Sequence, residues 1–126
     1  RVRLIAVHGV SWMLPRLDGL QLGLDLHLSA RKISAAEALA MGLVSQVRPA
    51  ASLMDDVRAY ARELADLVSP RSIRVMKRQI WEAQFQSLAE ATAVAGEEMT
   101  RSFTSEDFKE GVAHFVEKRP PRFTGR

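Results

Sequence analysis

The 126-residue sequence contains no cysteine, few aromatic residues and no long hydrophobic run. Without cysteine it can form no disulfide, thiolate nucleophile or cysteine-based zinc site, which fits a cytoplasmic protein. Aromatic residues make up only 6% of the chain and basic residues do not occur in blocks, so we expect no nucleic-acid partner. The apolar run near the amino terminus is too short for a signal peptide or a membrane span.

The composition is that of a soluble globular domain. Hydrophobic residues make up 47% of the chain and charged residues 26%, and 18 basic residues are interspersed with 15 acidic ones for a net charge of +3. This length suits one domain with a core of its own. Because the sequence begins with Arg1 rather than methionine, we expect that it continues something upstream or has been trimmed.

Helix signals dominate the chain, and the sequence predicts a mostly α class with one or two short strands. Residues 20–29 alternate leucine with other residues and allow a strand or a helix, of which we favour the helix. Pro15 is expected to begin a short helix that Gly19 ends. Residues 4–7 and 43–47 are the candidate strands. Further helix starts are predicted from capping residues at Ser34 (with Glu37), Ser52, Ser69 (before Pro70) and either Thr104 or Ser105.

The final predicted helix has an apolar stripe and a basic end. Phe108, Val112, Phe115 and Val116 recur at helical spacing. Lys118 and Arg119 follow, and the two prolines after them prevent continuation. A helix end of this kind can offer an anionic ligand both a ring face and positive charge. The alternative is an amphipathic helix with a solvated basic end.

Residues typical of catalysis are scarce. The three histidines, His8, His27 and His114, are too far apart to predict a metal site. The glycines form no phosphate-binding pattern. Two adjacent acidic pairs occur, Glu97 with Glu98 and Glu106 with Asp107, but neighbouring helical residues point in different directions, so neither predicts a catalytic pair. The two tryptophans and the methionines are predicted to lie in the core.

Three motifs, in this order, resemble the C-terminal half of the enoyl-CoA hydratase/isomerase (crotonase) family. They are SWMLPRLDG at residues 11–19, ARKISAAEALAMGLVSQV at residues 30–47 and SEDFKEGVAHFVEKRPPRF at residues 105–123. SPRSIRVMKRQI at residues 69–80 also resembles a helix of that family. The sequence departs from the family pattern at Ala6, Val7 and His8, at Asp18, where an apolar residue is usual, and at Ala30, where glycine is common.

The resemblance implies a fold, an activity and an assembly. Residues 1–50 would end the spiral α/β core of the crotonase (ClpP/crotonase) fold, and residues 51–126 would form its helical region for trimerisation and coenzyme A contact. The parent activity would be hydration of 2-enoyl-CoA thioesters in fatty-acid oxidation, in a homotrimer or another homo-oligomer. The acyl-CoA is then substrate, and no cofactor is needed.

The same resemblance places the catalytic glutamates and the oxyanion hole before Arg1, so we assign no catalytic residue and expect the chain to be inactive alone. Phe115 and Lys118 match positions that contact coenzyme A in the family, with a core phenylalanine and a solvated cap as the alternative. Trp12 and Leu14 are candidates for the acyl pocket, with plain packing as the alternative. A second hypothesis is a non-catalytic helical module for oligomerisation or partner binding.

Overall fold

A computed structural model of the chain describes residues 5–126, and the helical class expected from the sequence is confirmed in them. A single 3-10 turn, Ala83–Phe85, follows the fourth helix. By internal contacts the chain forms two compact units, one ending at Leu53 and one spanning Met54–Arg126. The described helices are α1 (Val10–Ser29), α2 (Ala35–Met41), α3 (Leu53–Leu67), α4 (Pro70–Glu82), α5 (Leu88–Phe103) and α6 (Glu106–Glu117).

The prediction of short strands is wrong for the residues that the structure describes. Leu4, in the first candidate strand, lies outside those residues, and 5–7 are irregular. Residues 43–47 follow α2 as irregular chain with isolated bends. A strand exists only when its amide and carbonyl groups pair with a neighbouring strand. Both segments have the apolar residues that strands favour, but no extended segment among the described residues pairs with them.

Helix α1 begins earlier than predicted and contains a kink. It begins at Val10 after Gly9, so Pro15 lies inside the helix rather than at its start. Gly19 leaves the helical conformation, with φ 84° and ψ 160°, a region open to glycine because it lacks a Cβ atom. Gly23, the buried residue of this helix, lies so close to Pro15 that an added Cβ would be 3.0 Å from the proline Cγ. Residues 20–29 are helical, as favoured.

Helix α2 has the predicted ends, but its first turn differs in one contact. The Ser34 hydroxyl accepts the Glu37 amide at 3.1 Å, and Gly42 ends the helix in the left-handed conformation, with φ 86°. The Glu37 carboxylate does not complete a capping box, because it accepts a 2.5 Å hydrogen bond from Arg31 instead. Ala30, where glycine is common in the resembled family, has φ 46°, a region that residues with a Cβ atom disfavour.

Helices α4 and α5 of the second unit begin at well-formed caps. Ser69 accepts the Ser72 amide at 3.1 Å, with Pro70 at the first helical position, as predicted. Helix α5 begins at a reciprocal capping box in which Ser87 accepts the Glu90 amide and the Glu90 carboxylate accepts the Ser87 amide at 2.7 Å. The sequence analysis did not identify this second box, although its Ser-x-x-Glu spacing is visible in the sequence.

Few side chains of the described residues are buried, and most of those are polar. Among hydrophobic residues only Ala38 is buried, whereas Ser69, Glu98 and Asp107 are buried polar groups. The predicted core role of the tryptophans and methionines is wrong for Trp81, which is 56% exposed, and for four of the five methionines. The apolar faces of the amphipathic helices are therefore covered only in part by other described residues. The exposed methionines are Met13, Met54, Met76 and Met99.

Candidate functional site

The end of α6 is the candidate site, and its position follows from how the helix begins and ends. Ser105 caps the first turn by accepting the Phe108 amide at 3.1 Å. At the other end, Lys118 takes the left-handed conformation, with φ 53° and ψ 42°, and its amide bonds to the carbonyl of His114. The chain therefore turns away from the helix axis at Lys118, and Arg119 adds a second hydrogen bond to the same carbonyl at 3.2 Å.

Phe115 and Lys118 lie at this helix end, three residues apart, and both are exposed. The Phe115 side chain is 79% exposed, so the alternative of a core phenylalanine is wrong within this chain. An aromatic face beside an ammonium group can stack on a planar base and attract a phosphate. Both residues assigned to ligand contact therefore lie at the same end of α6 with their side chains open to solvent.

Arg119, the residue after Lys118, is bound by the carboxylate of Glu110. Both oxygens of Glu110 accept hydrogen bonds from the two terminal nitrogens of Arg119, at 2.5 and 2.8 Å. The Arg122 amide donates to Glu110 at 2.6 Å, and Glu117 accepts from the Arg119 Nε atom at 2.5 Å. The side chains of Glu110 and Arg119 are 19% and 30% exposed, so solvent screens this two-point pair only in part.

These contacts change the acid–base properties of both partners. The Arg119 guanidinium is the main cause that lowers the pKa of Glu110 to about 2, against the opposing effect of desolvation. The Arg122 amide adds to the same effect. Hydrogen bonds to Glu110 and Glu117 raise the pKa of Arg119. The pair is therefore fully ionised at neutral pH and serves to bind the two chain segments rather than to transfer a proton.

The C-terminal strap, defined here as residues 119–126, returns along α6 to its first turn. The carboxylate of Asp107 accepts the amides of Thr124 and Gly125 at 2.8 and 3.0 Å, and the Asp107 amide donates to the Arg126 carbonyl at 2.9 Å. The Phe123 ring meets the His114 ring edge to face, with 5.9 Å between centroids. The strap is thus fixed at both ends of the helix.

Asp107 also joins α6 to the start of α4. It is 4% exposed and accepts a 2.5 Å hydrogen bond from the Ser69 hydroxyl. Burial favours the neutral acid, but the donors around the carboxylate, including the Thr124 and Gly125 amides, outweigh it and lower the pKa of Asp107. The sequence analysis saw this residue only as half of an adjacent acidic pair. No local signal could have identified contacts to residues so distant in the sequence.

A second buried carboxylate, Glu98, joins α5 to α4. It accepts hydrogen bonds from Arg78 at 2.6 Å and from Arg101 at 3.0 Å, and Arg71 lies 3.5 Å away. Arg78 is the main cause that lowers the pKa of Glu98, while burial opposes the shift. The Arg101 contact, three residues along the same helix, was visible as a spacing in the sequence, but the two contacts from α4 were not.

Trp12 and Leu14, the acyl-pocket candidates, lie in the other unit, on the first half of α1, and both are partly buried. The Arg16 guanidinium lies over the Trp12 ring, 4.0 Å from its centroid, and donates to the Trp12 carbonyl at 2.9 Å. One face of the indole is therefore occupied by a cation from the next turn of its own helix. These contacts account for packing of Trp12 and do not by themselves identify a pocket.

The described residues contain neither a cluster suited to a metal ion nor a helix suited to a membrane. No three histidine, aspartate or glutamate side chains in residues 5–126 lie close enough to hold a metal ion. No helix in that part of the chain is both long and apolar enough to cross a membrane. An open groove of about 550 Å³ lies between α3 and α4 in the second unit, and its lining includes the apolar Leu64, Val68 and Ile73 together with the cations Arg74 and Lys77.

Comparisons with known proteins give a consistent result. A family sequence model described as enoyl-CoA hydratase/isomerase matches residues 1–126. A probable enoyl-CoA hydratase of Mycobacterium bovis, echA8, is 38% identical over 118 residues, which cover 94% of this chain and 46% of that protein. A probable enoyl-CoA hydratase of Rhodobacter capsulatus is 35% identical over 126 residues, which cover 100% of this chain and 49% of the relative.

Solved structures show the same relationship in three dimensions. A probable enoyl-CoA hydratase/isomerase from Mycobacterium abscessus superposes with a TM-score of 0.93 at 32% identity, covering 98% of this chain and 48% of that chain. An enoyl-CoA hydratase from Bacillus anthracis gives a TM-score of 0.92 at 29% identity, covering 98% and 47%. The chain spans about half the length of the relatives that it matches.

Proposed function

Because this chain belongs to the enoyl-CoA hydratase/isomerase family and has part of the crotonase fold, we propose that it carries the coenzyme A-contacting end of an acyl-CoA site. The observation that carries the proposal is the exposed pair at the end of α6. Phe115 would stack on the adenine, and Lys118 would contact a phosphate. Coenzyme A is here part of the substrate, and no separate cofactor is proposed.

The parent activity that we propose is hydration of 2-enoyl-CoA thioesters in fatty-acid metabolism. That reaction needs donors that stabilise the enolate oxygen and acids that manage the water and its protons. We assign none of these to residues of this chain, and we therefore propose negligible hydration by the chain alone.

Trp12 and Leu14 are proposed to line the acyl side of a completed site. Residues 1–50 would belong to the spiral core and residues 51–126 to the helical region.

Self-association is the second part of the proposal, as a homotrimer or another homo-oligomer in the cytoplasm, without nucleic acid or membrane. Its support is the exposed apolar surface of the second unit, where Leu88, Phe115 and Val116 are 85%, 79% and 71% exposed. Such surface is costly in water and favours association. The same observation favours the alternative function, a non-catalytic helical module for oligomerisation or partner binding.

The coenzyme A proposal is tested by calorimetric titration of the 126-residue chain with coenzyme A. Phe115→Ala and Lys118→Ala should each weaken binding by roughly tenfold, because each removes a stacking or a charged contact of the kind worth about 1–3 kcal/mol. Lys109→Ala is the matched control, since it alters an exposed side chain of α6 and should bind as the parent does. Equal binding by all three variants would overturn the assignment.

Two further measurements separate the functions. Purified, mass-verified chain should show no hydration of crotonyl-CoA above background, and family-like turnover would contradict that part of the proposal. In sedimentation experiments a defined trimer supports self-association, whereas a monomer or polydisperse aggregate contradicts it. A defined trimer that does not bind coenzyme A would favour the non-catalytic module.

A further inference from the structure

The direction of Lys118 depends on residues on both sides of it. Lysine occupies a left-handed position at a helix end, where glycine is the commonest residue because it has no Cβ atom to clash. On the helical side, the Lys118 amide is tied to the His114 carbonyl. On the other side the chain continues into Arg119, whose amide bonds to the same carbonyl at 3.2 Å and whose side chain is held by Glu110, so both contacts constrain the backbone that follows Lys118.

Arg119 is held more firmly than an exposed ion pair would hold it. Glu110 contacts it through two parallel hydrogen bonds at 2.5 and 2.8 Å, a geometry that fixes the plane of the guanidinium as well as its distance. The same carboxylate accepts the Arg122 amide at 2.6 Å, so a single side chain holds two points of the strap. Glu117 contacts Arg119 at a single nitrogen and is itself 56% exposed.

The charges at this helix end are consequently divided between two roles. The guanidinium of Arg119 is neutralised by two carboxylates and faces back toward α6. Lys118 is exposed, and its ammonium group has no ion pair within residues 5–126. A phosphate that approaches this end can therefore meet Lys118 as an exposed cation that has no carboxylate partner among the described residues.

We propose that Glu110, acting through Arg119, is a positioning residue that orients Lys118 for its contact with the phosphate groups of coenzyme A. This inference rests on the proposed coenzyme A function and adds two residues to it, neither of which touches the ligand. Removing the Glu110 charge leaves the Arg119 guanidinium with the contact to Glu117 as its remaining ion pair, and Lys118 then samples more directions. Binding must order it again, and that entropic cost appears as lost affinity.

The binding test uses the 126-residue chain and coenzyme A at fixed ionic strength. Glu110→Gln should weaken binding about three- to tenfold, which corresponds to ordering one long side chain. Arg119→Lys, which keeps the charge but loses the two-point geometry, should weaken binding by a similar factor. Glu117→Gln is the matched control, because it removes the same charge from the same arginine, and it should change affinity less than twofold.

A double-mutant cycle separates positioning from general damage to the fold. If Glu110 acts on coenzyme A through Lys118, Glu110→Gln should have no further effect in a Lys118→Ala background. A general structural role predicts that the two losses add. Additive losses, or equal binding by the Glu110→Gln and Glu117→Gln variants, would overturn the proposal.

A measurement without ligand keeps this inference distinct from the coenzyme A assignment. Amide hydrogen exchange at Lys118, Arg119 and Arg122 should rise in Glu110→Gln and remain unchanged in Glu117→Gln, while the amides of α5 serve as the internal reference. If the parent chain does not bind coenzyme A but this pattern appears, the ligand assignment fails and the positioning of Lys118 stands. Unchanged exchange at Lys118 in Glu110→Gln overturns the positioning role whether or not coenzyme A binds.

Discussion

The hydroxyl of Ser69 donates a 2.5 Å hydrogen bond to the carboxylate of Asp107, which lies 38 residues further along the chain. Ser69 also caps α4, so one hydroxyl serves the first turn of that helix and the first turn of α6 together. The Asp107 carboxylate in turn receives the Thr124 and Gly125 amides. This contact brings the beginnings of two helices and the end of the strap to one buried carboxylate.

Asp107→Asn should destabilise the chain by about 2 kcal/mol. The carboxylate accepts hydrogen bonds from several donors, whereas the neutral amide would turn its own NH₂ group toward some of those donors. Chemical denaturation followed by circular dichroism measures the change. Asp66→Asn, at an exposed position of α3, is the control and should change the free energy of unfolding by less than about 0.5 kcal/mol. A loss at Asp107 no larger than the loss at Asp66 would contradict the role given to this carboxylate.

Glu98→Gln should lower the denaturation midpoint clearly, because it leaves the guanidinium groups of Arg71, Arg78 and Arg101 near one another without their shared carboxylate. Added salt should restore part of the loss by screening that repulsion. Glu97→Gln is matched in chemistry and adjacent in sequence, but Glu97 is 69% exposed and lies 3.6 Å from Arg101. It should have little effect. Equal denaturation midpoints for the two variants would show that the buried position of Glu98 does not contribute to stability.

Two glycines in helices should respond to alanine in opposite ways. Gly23→Ala would place a Cβ atom 3.0 Å from the Pro15 Cγ and should cost about 1–3 kcal/mol through overpacking. Gly96→Ala has nothing within 4 Å of the new atom and should stabilise α5 by about 0.5–1 kcal/mol through reduced backbone entropy in the unfolded chain. Denaturation of both variants checks the sign, and a stabilising Gly23→Ala would contradict the close packing on Pro15.

The contact between Glu110 and Arg119 should weaken only in strong acid. The pKa of Glu110 is about 2 in the folded chain and near 4.5 for an unperturbed glutamate. A lowered folded pKa means that the ionised carboxylate contributes its full stability above about pH 4.5 and loses it as the pH falls toward 2. The difference in unfolding free energy between the parent and Glu110→Gln should therefore shrink over that interval. A difference that stays constant from pH 6 to pH 2 would contradict this assignment.

Much of the local structure follows from the sequence because its causes are local. Serines at Ser34, Ser69 and Ser105 satisfy the amides of the first turns, and Gly42 can take the left-handed conformation that ends a helix. The stripe on α6 and the basic residues after it predicted where Phe115 and Lys118 would lie. The family was recognised separately, by the resemblance of three motifs in the same order.

The sequence alone predicted most of the helices and the caps at Ser34, Ser69 and Ser105, since these depend on residues within a few positions of one another, and its motifs resembled the family. Only the tertiary structure decided that residues 43–47 form no strand, since a strand needs a partner that periodicity cannot supply. It also decided that Trp81 is exposed and that the buried groups include Glu98 and Asp107. Burial and long-range hydrogen bonds depend on which helices meet, and that depends on the packing of the whole chain.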